Sequence, residues 1–133
     1  MLAVGEYGEF SKTISESDVY TFAGITGDFN SVHVNKVVAE RSRFGKQIAH
    51  GILVTGLVST VIGTVMPGEG TVYMEQDIKF LKPVYIGDTV TAKVTVADVI
   101  NEKKGVLKLS TTVINQDNEI VCDGFAVVMV PQE

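Results

Sequence analysis

"GILVTGLVSTVIGTVMPG", residues 51 to 68, runs for 18 positions without a charged side chain. Val54, Leu57, Val58, Val61, Ile62 and Val65 recur at the i, i+3, i+4, i+7 spacing of one helical face. The other face is small rather than charged: Gly56, Ser59, Thr60 and Gly63. A helix built this way is expected to meet protein all round. The run lies at the length threshold for a bilayer span, but half of it is Gly, Thr, Ser and Pro. That composition favours a buried core helix over a membrane segment. Pro67 and Gly68 end it.

Downstream, the period changes to two. "TVYMEQDIKF", "DTVTAKVTVADVI", "GVLKLSTTVIN" and "EIVCDGFAVVMV" read as four strands. "NEKKG" and "NQDNE" supply polar hairpin turns. Between the first two strands, "LKPVYIGD" breaks the ladder at Pro83 and turns at Gly87–Asp88. Strands joined by short turns make an antiparallel sheet, because parallel pairs need long crossovers. One apolar helix lying on such a sheet defines an α+β layer architecture.

Upstream, the chain reads as helical. "SESDVYTFAGITGD" starts at Ser15 with Asp18 three residues on, a capping-box pattern, and stops at Gly24 and Gly27. "NKVVAERSRFG" is a second short helix, ended by Gly45. Between them lies "ITGDFNSVHVN", residues 25 to 35, which crowds a carboxylate (Asp28), an amide (Asn30) and an imidazole (His33) among apolar neighbours.

The 133 residues predict a single domain, 1–133, long enough to bury roughly 65–70% of the surface the unfolded chain exposes. A hydrophobic content of 45% with 20% charged residues is globular, not disordered. The net charge of −5 argues against a nucleic-acid partner. Arg41, Arg43 and Lys46 form the one local basic cluster, suited to a small phosphorylated ligand or to a plain solvated face. A single cysteine, Cys122, excludes an intrachain disulfide and a Cys-based metal site, and reads as a small filler. The first ten residues lack a basic n-region and a long apolar h-region, so the expected location is cytoplasmic, with no membrane partner.

With these elements placed, "YTFAGITGDFNSVHVNKVVA" resembles the signature of the MaoC-like (R)-specific enoyl-CoA hydratases and dehydratases. That pattern has an upstream aromatic residue, Gly-Asp-x-Asn-Pro-apolar-His, and a small residue six positions further on. Gly27, Asp28, Asn30, Val32, His33 and Ala39 match it, and Ser31 stands where the family has its usual Pro. A proline there would hold Asn30 extended; its loss touches loop rigidity but removes no functional group. "AHGILVTGLVSTVIG" and "FLKPVYIGDTVTAKVTV" resemble the family's central helix and following strand pair, so the likeness covers roughly residues 5 to 130. The resemblance implies a hot-dog fold, an antiparallel sheet wrapped around a long central helix. It implies a homodimer or dimer-based oligomer, with the thioester tunnel near the subunit boundary. It also implies a hydro-lyase that converts trans-2-enoyl-CoA to (R)-3-hydroxyacyl-CoA or the reverse, in fatty-acid metabolism or polyhydroxyalkanoate supply.

The residue chemistry stands beside that. Adding water across an α,β-unsaturated thioester needs a base for the water, an acid for Cα and a donor for the enolate oxygen. Asp28 and His33 supply a carboxylate and an imidazole for proton handling; the same Asp28 and Asn30 could merely form an Asx-turn. Asn30 orients the loop or bonds the water. If the buried helix begins near Gly51, its first N–H groups have no intrahelical partner and the dipole favours negative charge. The resemblance assigns the Gly51 N–H to the thioester carbonyl, and gives Ser59 a polar place near the site. Arg41, Arg43 and Lys46 are candidates for the phosphates of coenzyme A. His50 reads as a packing or hydrogen-bonding residue before the helix. A metal held by Asp28, His33 and His50 would have a thin ligand set, and neither metal nor redox cofactor is expected. An acyl-CoA thioesterase and a non-catalytic acyl-thioester-binding module are the alternatives.

Overall fold

The uncharged run does form a helix, but not one wrapped on every side. A computed structural model describes residues 2–132. In chain order its elements are β1 (Tyr7–Thr13), α1 (Glu16–Thr26), α2 (Ser31–Val34), α3 (Lys36–Arg41) and α4 (Gly51–Thr64). These are followed by β2 (Val72–Phe80), β3 (Thr89–Asn101), β4 (Val106–Ile114) and β5 (Ile120–Met129). The five strands make one sheet in the order β1-β3-β4-β5-β2, every neighbouring pair antiparallel. This is the α+β hot-dog fold, with α4 as the helix the sheet curls around.

Alternation places the core. Val90, Ala92, Val94 and Val96 of β3, Leu107, Leu109 and Val113 of β4, and Val121, Ala126 and Val128 of β5 are buried. From the helix, Val54, Leu57, Val58, Val61 and Ile62 meet them. Each such Val, Leu or Ile side chain contributes about 1.5–3 kcal/mol when fully removed from water, so this seam dominates the fold's stability. Val65, the sixth residue of the expected stripe, is half exposed because the helix has already ended at Thr64. The small face also departs from expectation. Ile52, Gly56, Ser59 and Gly63 are exposed, and a Cβ added at Gly56 or Gly63 would meet nothing within 4 Å.

Two pairings differ from the reading of the sequence. The first strand, β1, lies in the N-terminal stretch and pairs with β3 at one edge. Sequential β2 and β3 do not pair: residues 81–88 carry the chain away, and β2 lies against β5 at the opposite edge. Between the helices, Ser31–Val34 forms an additional short turn of helix, and α3 stops at Arg41, ahead of the left-handed Gly45.

Local chemistry delivers the chain to the site. Ser15 and Asp18 form the reciprocal capping box of α1, with Asp18 N–H to Ser15 Oγ at 3.0 Å and Ser15 N–H to Asp18 Oδ2 at 2.9 Å. Gly27 closes that helix at φ 83°, a left-handed cap that few side chains tolerate, and its N–H reaches the Ala23 carbonyl at 2.8 Å. The next residue is Asp28. The segment entering α4 is tied down on both sides: Ile48 N–H to Val32 O at 3.1 Å, Ala49 N–H to Val84 O at 2.7 Å, and the buried Gln47 amide to His33 O at 2.8 Å. These bonds fix α2 and the start of α4 in one frame.

Candidate active site

His33, on α2, is 8% exposed. Its Nδ1 lies 2.7 Å from the Ile48 carbonyl. A carbonyl can only accept, so Nδ1 carries the proton and Nε2 keeps its lone pair. Burial holds the His33 pKa below the usual histidine value; the Ile48 bond opposes this, the nearby His50 adds to it, and Asp28 opposes it. At neutral pH the ring is therefore a neutral acceptor aimed away from Ile48.

Asp28 is exposed on the loop after Gly27. Polar atoms of Asp28, His33 and His50 all lie within 4.8 Å of one another. The carboxylate also takes part in an Asx-turn: its Oδ1 accepts from Asn30 N–H at 3.2 Å. The two readings of Asp28 are thus compatible, since one carboxylate oxygen shapes the loop while the group stands beside the imidazole. Asn30 caps α2, accepting from Val32 N–H at 3.4 Å. That is an orienting role in the loop.

The helix start is open. His50 is the N-cap of α4 but makes no capping bond with its side chain. No acceptor among the described residues takes the Gly51 N–H, as expected of a first-turn amide. Gly51 also lines a cleft of about 380 Å³ together with His33, Ile52, Phe80, Leu81 and Val84. That volume is within the usual range for small-molecule sites. The Phe80 ring lies directly over Gly51, and a Cβ added there would come within 2.6 Å of it. Only glycine leaves room for both the ring and an approach to the amide.

The other expected residues are more scattered. Arg43 lines the same cleft, its guanidinium 5.2 Å from the Phe44 ring centroid. Lys46 lies over the Tyr85 ring at 4.6 Å and lines an adjoining depression with Lys82. Arg41, at the end of α3, is exposed and lines neither. Ser59 lies on the exposed small face of α4, outside the cleft lining. Tyr73 and Met74, residues that could have set pocket depth, are exposed on β2 and do not line the cleft either. Phe80, Leu81 and Cys122 do, and sequence reading did not single them out as lining residues. Their signal was weak, because "FLKP" looks like an ordinary strand end. Burial pushes the Cys122 thiol up to about 11, so it is a protonated wall residue.

The three-residue set Asp28, His33 and His50 does not fit a metal ion as arranged. The two imidazoles are stacked, centroids 3.8 Å apart and planes 28° apart. Their lone pairs therefore lie in stacked, nearly parallel planes, whereas one zinc ion needs two nitrogens converging on it at about 2.0–2.1 Å.

On this hot-dog layer a carboxylate and an imidazole lie close to an unpartnered helix start. A family profile for the MaoC like domain matches residues 4–118. The chain belongs to the MaoC-like dehydratase family. It is 47% identical over 127 residues to an (R)-specific enoyl-CoA hydratase of Rhodospirillum rubrum, covering 96% of this chain and 87% of that protein. A 3-hydroxybutyryl-CoA dehydratase of Methylorubrum extorquens is 45% identical, with 99% and 83% covered. Among solved structures, the (R)-hydratase of Aeromonas caviae involved in PHA biosynthesis superposes with a TM-score of 0.94 at 35% identity, covering 98% of both chains. An unliganded R-hydratase from Pseudomonas aeruginosa also gives 0.94, at 38% identity, with 99% of this chain and 84% of that one covered.

Proposed function

We propose that this chain is an (R)-specific enoyl-CoA hydratase, adding water to trans-2-enoyl-CoA and running the reverse dehydration. The hydro-lyase class follows from membership of the family and from its hydratase and dehydratase relatives. The observation that carries the mechanism is the tautomer of His33. Its Nδ1 proton is committed to Ile48, so Nε2 keeps its lone pair, and a ring nitrogen of His33 lies within 4.8 Å of an Asp28 carboxylate oxygen. A water between them gives its proton to this pair as its oxygen attacks Cβ, and the pair returns a proton to Cα. No net proton is gained or lost. Charge building on the thioester oxygen meets the Gly51 N–H and the positive end of α4. Arg43 and Lys46 suit the phosphates of coenzyme A, with Arg41 and Ser59 further from the cleft. The step uses no metal or redox cofactor.

The reading includes a homodimer. β2 pairs with β5 on one side only. It exposes Val72, Tyr73, Met74 and Phe80, and α4 exposes Ile52, which lines the cleft with Phe80. An edge strand with one unpaired side and exposed apolar residues at both ends, Glu75, Asp77 and Lys79 being exposed between them, can take another strand, and a second copy would cover both this edge and the small face of the helix.

Incubation with crotonyl-CoA tests the activity. Loss of the enoyl absorbance with no free thiol, and an (R)-3-hydroxy product, is the expected result. Release of free thiol would instead mean a thioesterase, and an unchanged spectrum a binding module.

A further inference from the structure

His50 touches both members of the proton-handling pair, yet the mechanism above leaves it idle. It is 3% exposed. Its Nε2 lies 2.9 Å from the backbone carbonyl of Asp28, so Nε2 carries a proton and donates it. Its Nδ1 is buried without a partner. A bare acceptor tolerates that position better than an unpaired N–H, and the proton therefore stays on Nε2. One face of the ring stacks on His33 at 3.8 Å, and Phe22 of α1 packs near it at 4.8 Å. The residue's usual alternative, capping its own helix, is not taken up.

We infer that His50 is a positioning residue for the hydration step, its Nε2–H holding the Asp28 peptide while its ring face holds the His33 imidazole. One side chain thus sets the distance between a carboxylate on an exposed loop and an imidazole on a four-residue helix. The loop's other anchors at that point are local: Asp28 N–H to Thr26 Oγ1 at 3.2 Å, Phe29 N–H to Gly27 O at 3.1 Å, and the Asx-turn. Because His50 also precedes Gly51 directly, the donor for the thioester oxygen belongs to the same rigid unit. The inference rests on the hydratase reading of Asp28 and His33.

The test compares His50→Gln and His50→Met, side chains of nearly equal length that differ in having a terminal N–H donor. Crotonyl-CoA hydration is measured for both, for wild type and for Asp28→Asn, with a thermal melt of each. In His50→Met, kcat is expected to fall about 100-fold, the cost of misplacing a reacting group by about 1 Å, with KM changed little. His50→Gln is expected to recover the part of that loss that the donor carries, leaving it clearly faster than His50→Met. Should His50→Met not fold, His50→Phe keeps the ring and loses only the donor, and carries the same comparison. Wild-type kcat in the donor-less variant, or equal losses in Gln and Met, would overturn the assignment of His50 while hydration by wild type and its loss in Asp28→Asn left the hydratase reading standing. A wild-type chain that leaves crotonyl-CoA untouched would overturn both.

Discussion

Asp28→Asn is an unusually clean substitution in this loop. The Asx-turn to the Asn30 amide needs only a side-chain carbonyl oxygen, which asparagine retains. The change therefore removes charge and basicity but not the turn. His33→Ala removes the Nε2 acceptor together with the Nδ1–H bond to the Ile48 carbonyl. Positioned acid–base groups contribute on the order of 10² to 10⁴ in rate, so each variant should lose activity on that scale while still melting cooperatively. Gly51→Ala acts differently. Its methyl group would drive into the Phe80 ring, and removing access to one oxyanion donor costs about 3–4 kcal/mol of transition-state stabilisation. The pH profile follows from His33. Its folded pKa lies below the ordinary 6.5, chiefly through burial. The acid limb of kcat/KM should accordingly fall below pH 6.5; a limb above it would contradict a neutral, lone-pair role. For stability the sign is the same. Between the lowered folded value and 6.5 the unfolded chain binds more protons, so the contribution is complete above 6.5 and is lost as pH falls through that window.

At the scale of elements, what could be read from the sequence depended on whether burial left a periodic trace. Helix α4 was legible because five of its aliphatic residues face one core, and β3 to β5 because their inward residues alternate. Strand β1 was not legible. In "YGEFSKT" Gly8 is buried while Phe10 and Lys12 on the same face are half-buried, and Gly8 must be small, since a Cβ there would press on Val65 and Met66 at 2.9 and 3.0 Å. The capping box of α1 was legible as a three-residue spacing, and Ser15→Ala should cost about 1 kcal/mol, seen as a lowered Tm. The edge strand β2 supports a further prediction. If the proposed dimer forms through this edge, a charged Met74→Lys on its exposed surface should shift it to monomer in sedimentation or size-exclusion measurements; an unchanged assembly would place the interface elsewhere.

For the whole molecule, the site is a product of topology. Asp28 and His33 were visible in one short motif, and Gly51 as a helix start, but their convergence was not. It arises because residues 47–49 are pinned between α2 and the segment after β2, a meeting of stretches up to about forty residues apart. The contact from His50 to Asp28 spans 22 residues and leaves no local pattern. Phe80 and Leu81 reach the cleft only because β2 crosses to the far edge beside β5. No helix among the described residues is long and apolar enough to cross a membrane; the uncharged run is spent on the sheet instead. In the proposed mechanism a carboxylate and a neutral imidazole activate one water beside the start of α4. That step is tested most directly by the kcat of Asp28→Asn on crotonyl-CoA relative to wild type, with circular dichroism on the same samples. A fall of at least about a hundredfold with an unchanged spectrum is predicted; a folded variant that hydrates at the wild-type rate would contradict it.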